Sequence, residues 1–229
     1  MDGGRCLLCN DHGALSSSVC LSCIADLPRI VSACPRCGTP RSTALVCGAC
    51  ARSAPQCHAV FAGFRYLFPI DRMIHDWKYH GRSHWLPVLA DGLLERLKRD
   101  LHSTPQVLIP VPLHARRQYW RGFNQAGVLA DYLGARLHIP VWKQVVRTRA
   151  TPSQTGLARG GRRQNMRGAF ALNTPLPRWR IALVDDVYTT GATAGELARL
   201  LLERGAVEIQ MWCLAHAAGR ISTGDNAAQ

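Results

Sequence analysis

Four Cys-X-X-Cys pairs open the chain: Cys6 with Cys9, Cys20 with Cys23, Cys34 with Cys37, and Cys47 with Cys50. Ten, ten and nine residues separate successive pairs. Two thiolates three positions apart in a tight turn face one metal ion, and a second pair completes a tetrahedral all-cysteine site for zinc. Eight cysteines therefore make two sites, both expected to hold structural Zn2+. Sequential and interleaved pairings satisfy the spacing equally. In the knuckle CPRCG, Pro35 shapes the turn and Gly38 relieves the backbone after it. A segment this short buries too little apolar surface to fold without metal, so zinc binding and folding are expected to be one event. Cys57 and Cys213 stand outside the pattern; Cys213, inside the apolar run IQMWCLA, reads as a buried core thiol.

A second constellation lies in IALVDDVYTTGATA, residues 181–194. An apolar run ends on Asp185 and Asp186. Adjacent like charges repel and are costly to desolvate, so a cation or a hydroxyl-rich ligand is expected to meet them. Thr189, Thr190, Gly191, Ala192 and Thr193 then lead into a helix start, where backbone N–H groups and hydroxyls cradle a phosphate. The acids can accept hydrogen bonds from a sugar diol beside that phosphate. A ribose 5-phosphate group satisfies both ends.

Arginines supply the third element. The formal net charge is +13, and residues 101–180 hold thirteen Lys or Arg against the single acid Asp131. Such a field suits phosphates, diphosphate or nucleic acid. Arg116, Arg117 and Arg121 follow a strand end, where a diphosphate can sit on planar guanidinium forks. Arg147, Arg149, Arg159, Arg162, Arg163 and Arg167 share a stretch with Gly156, Gly160 and Gly161, and residues 149–165 are expected to form a loop that closes over the reacting centre. Tyr119, Trp120 and Phe123 either stack on bases or pack a helix start. Lys78 is a minor candidate for a phosphate contact. His75, His80, His84 and His114 read as structural or exposed, because cysteines already fill the metal sites.

The elements that must position these groups alternate. Strands are expected over 59–68, 106–113, 140–146, 168–172, 180–186 and 207–215, and helices over 70–82, 85–101, 122–137 and 193–204. Alternating strands and helices argue for a parallel α/β sheet, whose ligands bind beyond the carboxyl ends of the strands. The chain divides into a cysteine-rich domain at 1–57, a larger domain at 58–218 and a polar tail at 219–229. No apolar run approaches the roughly 18 residues of a membrane helix, so membrane insertion is not expected. The start MDGGRCLLCN lacks the apolar stretch of a secretory signal, so a cytoplasmic protein with reduced thiols is expected. Oligomeric state is not legible.

LVDDVYTTGATA resembles the binding loop for phosphoribosyl diphosphate (PRPP) in type I phosphoribosyltransferases. Residues 109–133 and 147–170 resemble the other signature blocks of the ComF family. So does the arrangement of a cysteine-rich zinc domain followed by a transferase domain, and the resemblance covers nearly the whole chain. It implies a parallel-sheet phosphoribosyltransferase fold with a small N-terminal double zinc ribbon. It further implies that Asp185 and Asp186 meet the ribose hydroxyls, that residues 189–193 hold the 5-phosphate, and that Arg116, Arg117 and Arg121 serve the diphosphate with Mg2+. The implied activity is a Mg2+-dependent phosphoribosyltransferase of unknown acceptor linked to natural transformation, with single-stranded DNA and competence-machinery proteins as partners. The alternative is a non-catalytic DNA- or protein-binding factor on the same fold. One departure stands out: purine-salvage transferases carry an acid before the Thr-Gly of this loop, where this chain has Thr189, so no general base is visible there.

Overall fold

The computed structural model describes residues 4–12, 15–16, 18–113, 122–148 and 168–217. The cysteine-rich start has little regular structure, as expected where metal knuckles replace a core. It contains β1 (Leu15–Ser16) paired antiparallel with β2 (Val19–Cys20), and two five-residue helices, α1 (Leu21–Ala25) and α2 (Gly48–Arg52).

The larger unit begins with β3 (Ala59–Arg65) and α3 (Ile70–His80). Ile70, Met73, Ile74 and Trp77 recur at helical spacing and form the buried stripe of α3, which stops at Gly81 in the left-handed conformation. Helix α4 (Trp85–Asp100) buries Leu86, Leu89, Leu93 and Leu97 on the same principle. It lies close on β3, because a Cβ at Gly63 would come within 2.7 Å of the Leu93 amide. Next come β4 (Val107–Pro110), α5 (Gln125–Leu137), the antiparallel pair β5 (Val145–Arg147) and β6 (Phe170–Leu172), β7 (Arg180–Tyr188), α6 (Ala192–Glu203) and β8 (Glu208–His216).

The central sheet runs β3-β8-β7-β4, all parallel. Both faces are covered, which is why β7 reads as a continuous apolar run. Ala182 and Val184 belong to the cluster that includes α3, α4 and α5, whereas Ile181 and Leu183 belong to the cluster with Leu197 and Leu201 of α6. This architecture, a parallel sheet between helices behind a cysteine-rich unit, is the one the sequence leads us to expect of a type I phosphoribosyltransferase domain with an N-terminal zinc ribbon.

The sheet edges are not bare. Residues 140–142 bridge β4 in parallel, with the Leu108 amide donating to the Pro140 carbonyl at 2.9 Å and the Trp142 amide to Leu108 at 2.8 Å. On the other edge, Arg29 pairs antiparallel with Phe64, and the Ile30 amide donates to the Gly63 carbonyl at 3.0 Å. Arg96 and Arg99 of α4 grip the same segment, donating to the carbonyls of Ile30 and Val31 at 2.9 Å each. The cysteine-rich unit thus covers an edge that would otherwise invite pairing with another chain.

Several boundaries differ from expectation for physical reasons. The strand expected over 140–146 is two pieces, the first beside β4 and the second paired with β6. Helix α5 starts at Gln125 rather than at 122, because the Asn124 side chain accepts the Ala126 amide and caps it. Strand β7 runs two residues past the acids, because its pairing with β8 continues through Tyr188 and His216. The loop expected over 149–165 and the tail expected at 219–229 lie outside the described residues.

Candidate functional site

Asp185 and Asp186 lie near the carboxyl end of β7, where alternation sends neighbouring side chains to opposite faces. Asp186 faces the side of α3. There the Lys78 ammonium meets its Oδ2 at 2.6 Å, with both side chains largely buried. Of the two kinds of partner expected beside the acids, a cation or a hydroxyl-rich ligand, α3 supplies the cation. Burial opposes the charge on Lys78, but Asp186 outweighs it and holds the lysine pKa above its ordinary value. Asp185 has an Oδ1 that accepts the Asp186 amide at 2.9 Å. Burial, and then the Asp186 charge, push the Asp185 carboxyl up to about 7, while Lys78 and Arg147 pull the other way.

After the strand, Thr189 is exposed and Thr190 half-buried; the Thr190 hydroxyl oxygen lies 3.5 Å from the Ala192 amide. Gly191 has φ +72° and begins α6 without a side-chain cap. Thr193 and Ala194 then fill its first turn. A helix start of this kind presents backbone donors to an anion. A Cβ at Gly191 would overlap the Tyr188 hydroxyl, so the position requires glycine for both its backbone angle and its space.

A second wall comes from the start of α5. Asn124 ties that helix to the end of β4, its Nδ2 donating to the Val111 carbonyl at 3.2 Å. Gln125 is buried, and its Nε2 lies 3.4 Å from the Lys78 carbonyl. Its Oε1 has no hydrogen-bond partner among the described residues. Phe123 packs against the core cluster of α3 and α4 rather than standing clear as a stacking platform. Arg116, Arg117, Arg121, Tyr119, Trp120 and His114 lie outside the described residues.

The cysteines resolve into two sets, Cys6, Cys9, Cys20 and Cys23, then Cys34, Cys37, Cys47 and Cys50, with all sulfurs of a set within 4.8 Å of one another. Sequential pairing is therefore the arrangement present. Cys6 accepts amide hydrogens from Leu8 at 3.4 Å and Cys20 at 3.3 Å, and Cys34 accepts one from Cys47 at 3.3 Å. Burial raises both thiols, yet these donors prevail and bring each down to about 6. All-sulfur, four-fold clusters fit Zn2+, and these are two four-cysteine zinc-binding sites. A third group of donor atoms lies on the exposed His75 and His80 and the half-buried Asp76; Asp76 there is engaged by His80 at 3.1 Å and Arg82 at 2.9 Å. Among the described residues no helix is long and apolar enough to cross a membrane.

The double zinc ribbon domain family matches residues 3–51. Over 219 residues the chain is 36% identical to the DNA utilization protein YhgH of Salmonella typhimurium strain LT2, covering 92% of this chain and 96% of that one. It is 34% identical over 224 residues to competence protein F of Haemophilus influenzae, covering 93% and 97% respectively. The chain belongs to the ComF family. Among solved structures, this ComF-family chain is similar to a purine phosphoribosyltransferase from Pyrococcus horikoshii, at 20% identity and a TM-score of 0.36, over 58% of this chain and 73% of that one.

Asn124, Gln125, Tyr188 and His216, beside this candidate site, do not stand out in the sequence, where Lys78 is only a minor candidate. A signal for Lys78 existed: it follows Trp77 on the flank of the buried stripe of α3, so its stem must run along the core. A signal for Asn124 existed too, as a capping residue before an apolar helix. Gln125 and His216 carried none, since the Lys78 and Cys37 carbonyls they meet are brought by other elements.

Proposed function

We propose that this protein binds PRPP with Mg2+ at the junction of β7 and α6 and transfers its phosphoribosyl group to an acceptor. One observation carries the reading: an acid pair near the carboxyl end of a parallel strand is followed within five residues by a glycine that starts an uncapped helix. The first feature suits a ribose diol and the second a 5-phosphate. Asp185 and Asp186 accept hydrogen bonds from the ribose hydroxyls and orient C1. The turn 189–193 anchors the phosphate through backbone donors and threonine hydroxyls. Arg116, Arg117 and Arg121 take the diphosphate as the bond from C1 to its oxygen breaks and the bond to the acceptor forms. The carboxylate oxygens of Asp185 and Asp186 suit a hard cation and would hold Mg2+ there. When bound, it supplies positive charge against the departing oxygens. Lys78 keeps the acid pair compatible with burial until the sugar arrives.

We further read the protein as cytoplasmic, since eight thiols serving as metal ligands need a reducing compartment. The basic stretch 101–180 supports a second reading, that single-stranded DNA or a competence partner is engaged in the same setting as its relatives' names indicate. Calorimetric titration of PRPP with Mg2+ into the zinc-loaded protein tests the first reading. Saturable binding that an Asp185→Ala, Asp186→Ala double variant loses is the expected result. A folded wild type that binds no PRPP would sink the transferase reading and favour the second, whose DNA affinity should fall steeply with salt.

A further inference from the structure

The two four-cysteine sites dock differently. Cys6 belongs to the cluster of α3 and α4, with Val19 and Leu27 beside it. The second site packs toward the candidate phosphate turn. A Cβ at Gly38, just after Cys37, would come within 2.8 Å of the Val60 Cγ1 and 2.9 Å of its carbonyl, so this knuckle lies directly on β3. The Cys37 carbonyl lies 3.0 Å from Nε2 of His216, the last residue of β8. A carbonyl can only accept, so Nε2 carries the hydrogen and the ring is held in that tautomer. His216 is opposite Tyr188 in the register of β8 and β7, and their ring centroids are 5.2 Å apart. Beyond His216, the Ala217 amide donates to the Tyr188 carbonyl at 2.8 Å and closes the strand pair. Tyr188 in turn occupies the space a side chain at Gly191 would need. Contacts thus run without a break from Cys37 through His216 and Tyr188 to the first residue before α6.

We propose that Tyr188 and His216 are positioning residues that set the phosphate turn from the second four-cysteine site, and that the first such site has no such role. The turn has no side-chain cap of its own, so its shape depends on what lies behind it. The Tyr188 ring is that backing, and the hydrogen bond from His216 to the Cys37 carbonyl fixes where the ring sits. Loss of metal from the second site releases the Cys37 carbonyl and the turn together. Loss from the first site leaves the turn in place. The link to PRPP rests on the function proposed above; the link to the turn does not.

Hydrogen exchange of the amides in 189–195, measured without ligand on the full chain, separates the two. His216→Ala and Cys37→Ser are expected to speed that exchange by about tenfold or more, since local opening follows the contacts that close a segment. Cys9→Ser is expected to leave it unchanged. His216→Gln, which restores a donor to the Cys37 carbonyl, is expected to return exchange to the wild-type rate, an outcome a bulk-packing role would not produce. Exchange in α4 and the circular dichroism spectrum report whether each variant remains folded, and His216→Ala carries the test if Cys37→Ser does not. Unchanged exchange at 189–195 in a folded His216→Ala protein overturns the proposal. So does an equal rise in Cys9→Ser, or a failure of His216→Gln to restore the turn. If the turn loosens as expected but the wild type binds no PRPP, the positioning role stands and the transferase reading falls.

Discussion

Asp185 and Asp186 differ by one position and by their surroundings. Asp186 has Lys78 at 2.6 Å, whereas Asp185 is held neutral-leaning by burial and by its neighbour, with its carboxyl near 7. A carboxyl raised from 3.8 binds its proton more tightly folded than unfolded. Its contribution to stability is therefore complete below the unfolded value and is lost as pH rises through about 7. Asp185→Asn removes that dependence. Urea unfolding at pH 5 and pH 8 should show the variant gaining on the wild type as pH rises, at up to about 1.4 kcal/mol per pH unit in the steepest range. An unchanging difference would mean that Asp185 is ionised throughout and that the charge of Lys78 prevails over burial.

At the scale of elements, the start of α6 is shaped by a backbone angle rather than by a cap. Gly191 sits at φ +72°, and Tyr188 fills the space beside it. Gly191→Ala therefore meets two penalties: the left-handed angle costs about 1–2 kcal/mol for a residue with a Cβ, and the tyrosine ring must move. The expected result is a loss of at least that much unfolding free energy, read by urea denaturation, together with loss of PRPP binding. A variant as stable as the wild type would show that the turn relaxes freely, and that the contact with Tyr188 does not constrain it.

The whole molecule depends on its cysteine-rich unit as a cover. Residues 28–31 pair with β3 and are gripped by Arg96 and Arg99, so releasing zinc should free more than a small appendage. Chelation of the purified protein is expected to lower the melting temperature and to promote aggregation through the uncovered edge of β3, both followed by scattering during a thermal scan. Readdition of Zn2+ before heating should reverse both effects. A melting temperature unmoved by full removal of zinc, verified by metal analysis, would show that the apolar contacts of Leu27, Ile30 and Ala33 hold the unit without its metal.

Local chemistry was legible in the sequence wherever neighbours in the chain are neighbours in space. The paired cysteines, the acid pair at a strand end, the glycine turn and the alternation of strands and helices all belong to that class, because each depends on spacing of a few residues. Sequential pairing of the cysteine sets was not legible, since either order satisfies the spacing and only the fold brings one set of sulfurs together. Nor was the partner of Asp186, because Lys78 lies more than a hundred residues earlier and meets it only when α3 packs on the face of β7 that Asp186 shares. The same holds for His216 and Cys37, joined by one hydrogen bond across most of the chain. Residue types and their spacing determined which chemistry this protein can hold. Packing of distant elements decided which charges are paired, which thiols share a metal and what stands behind the glycine turn, because those contacts form only once apolar faces close the core.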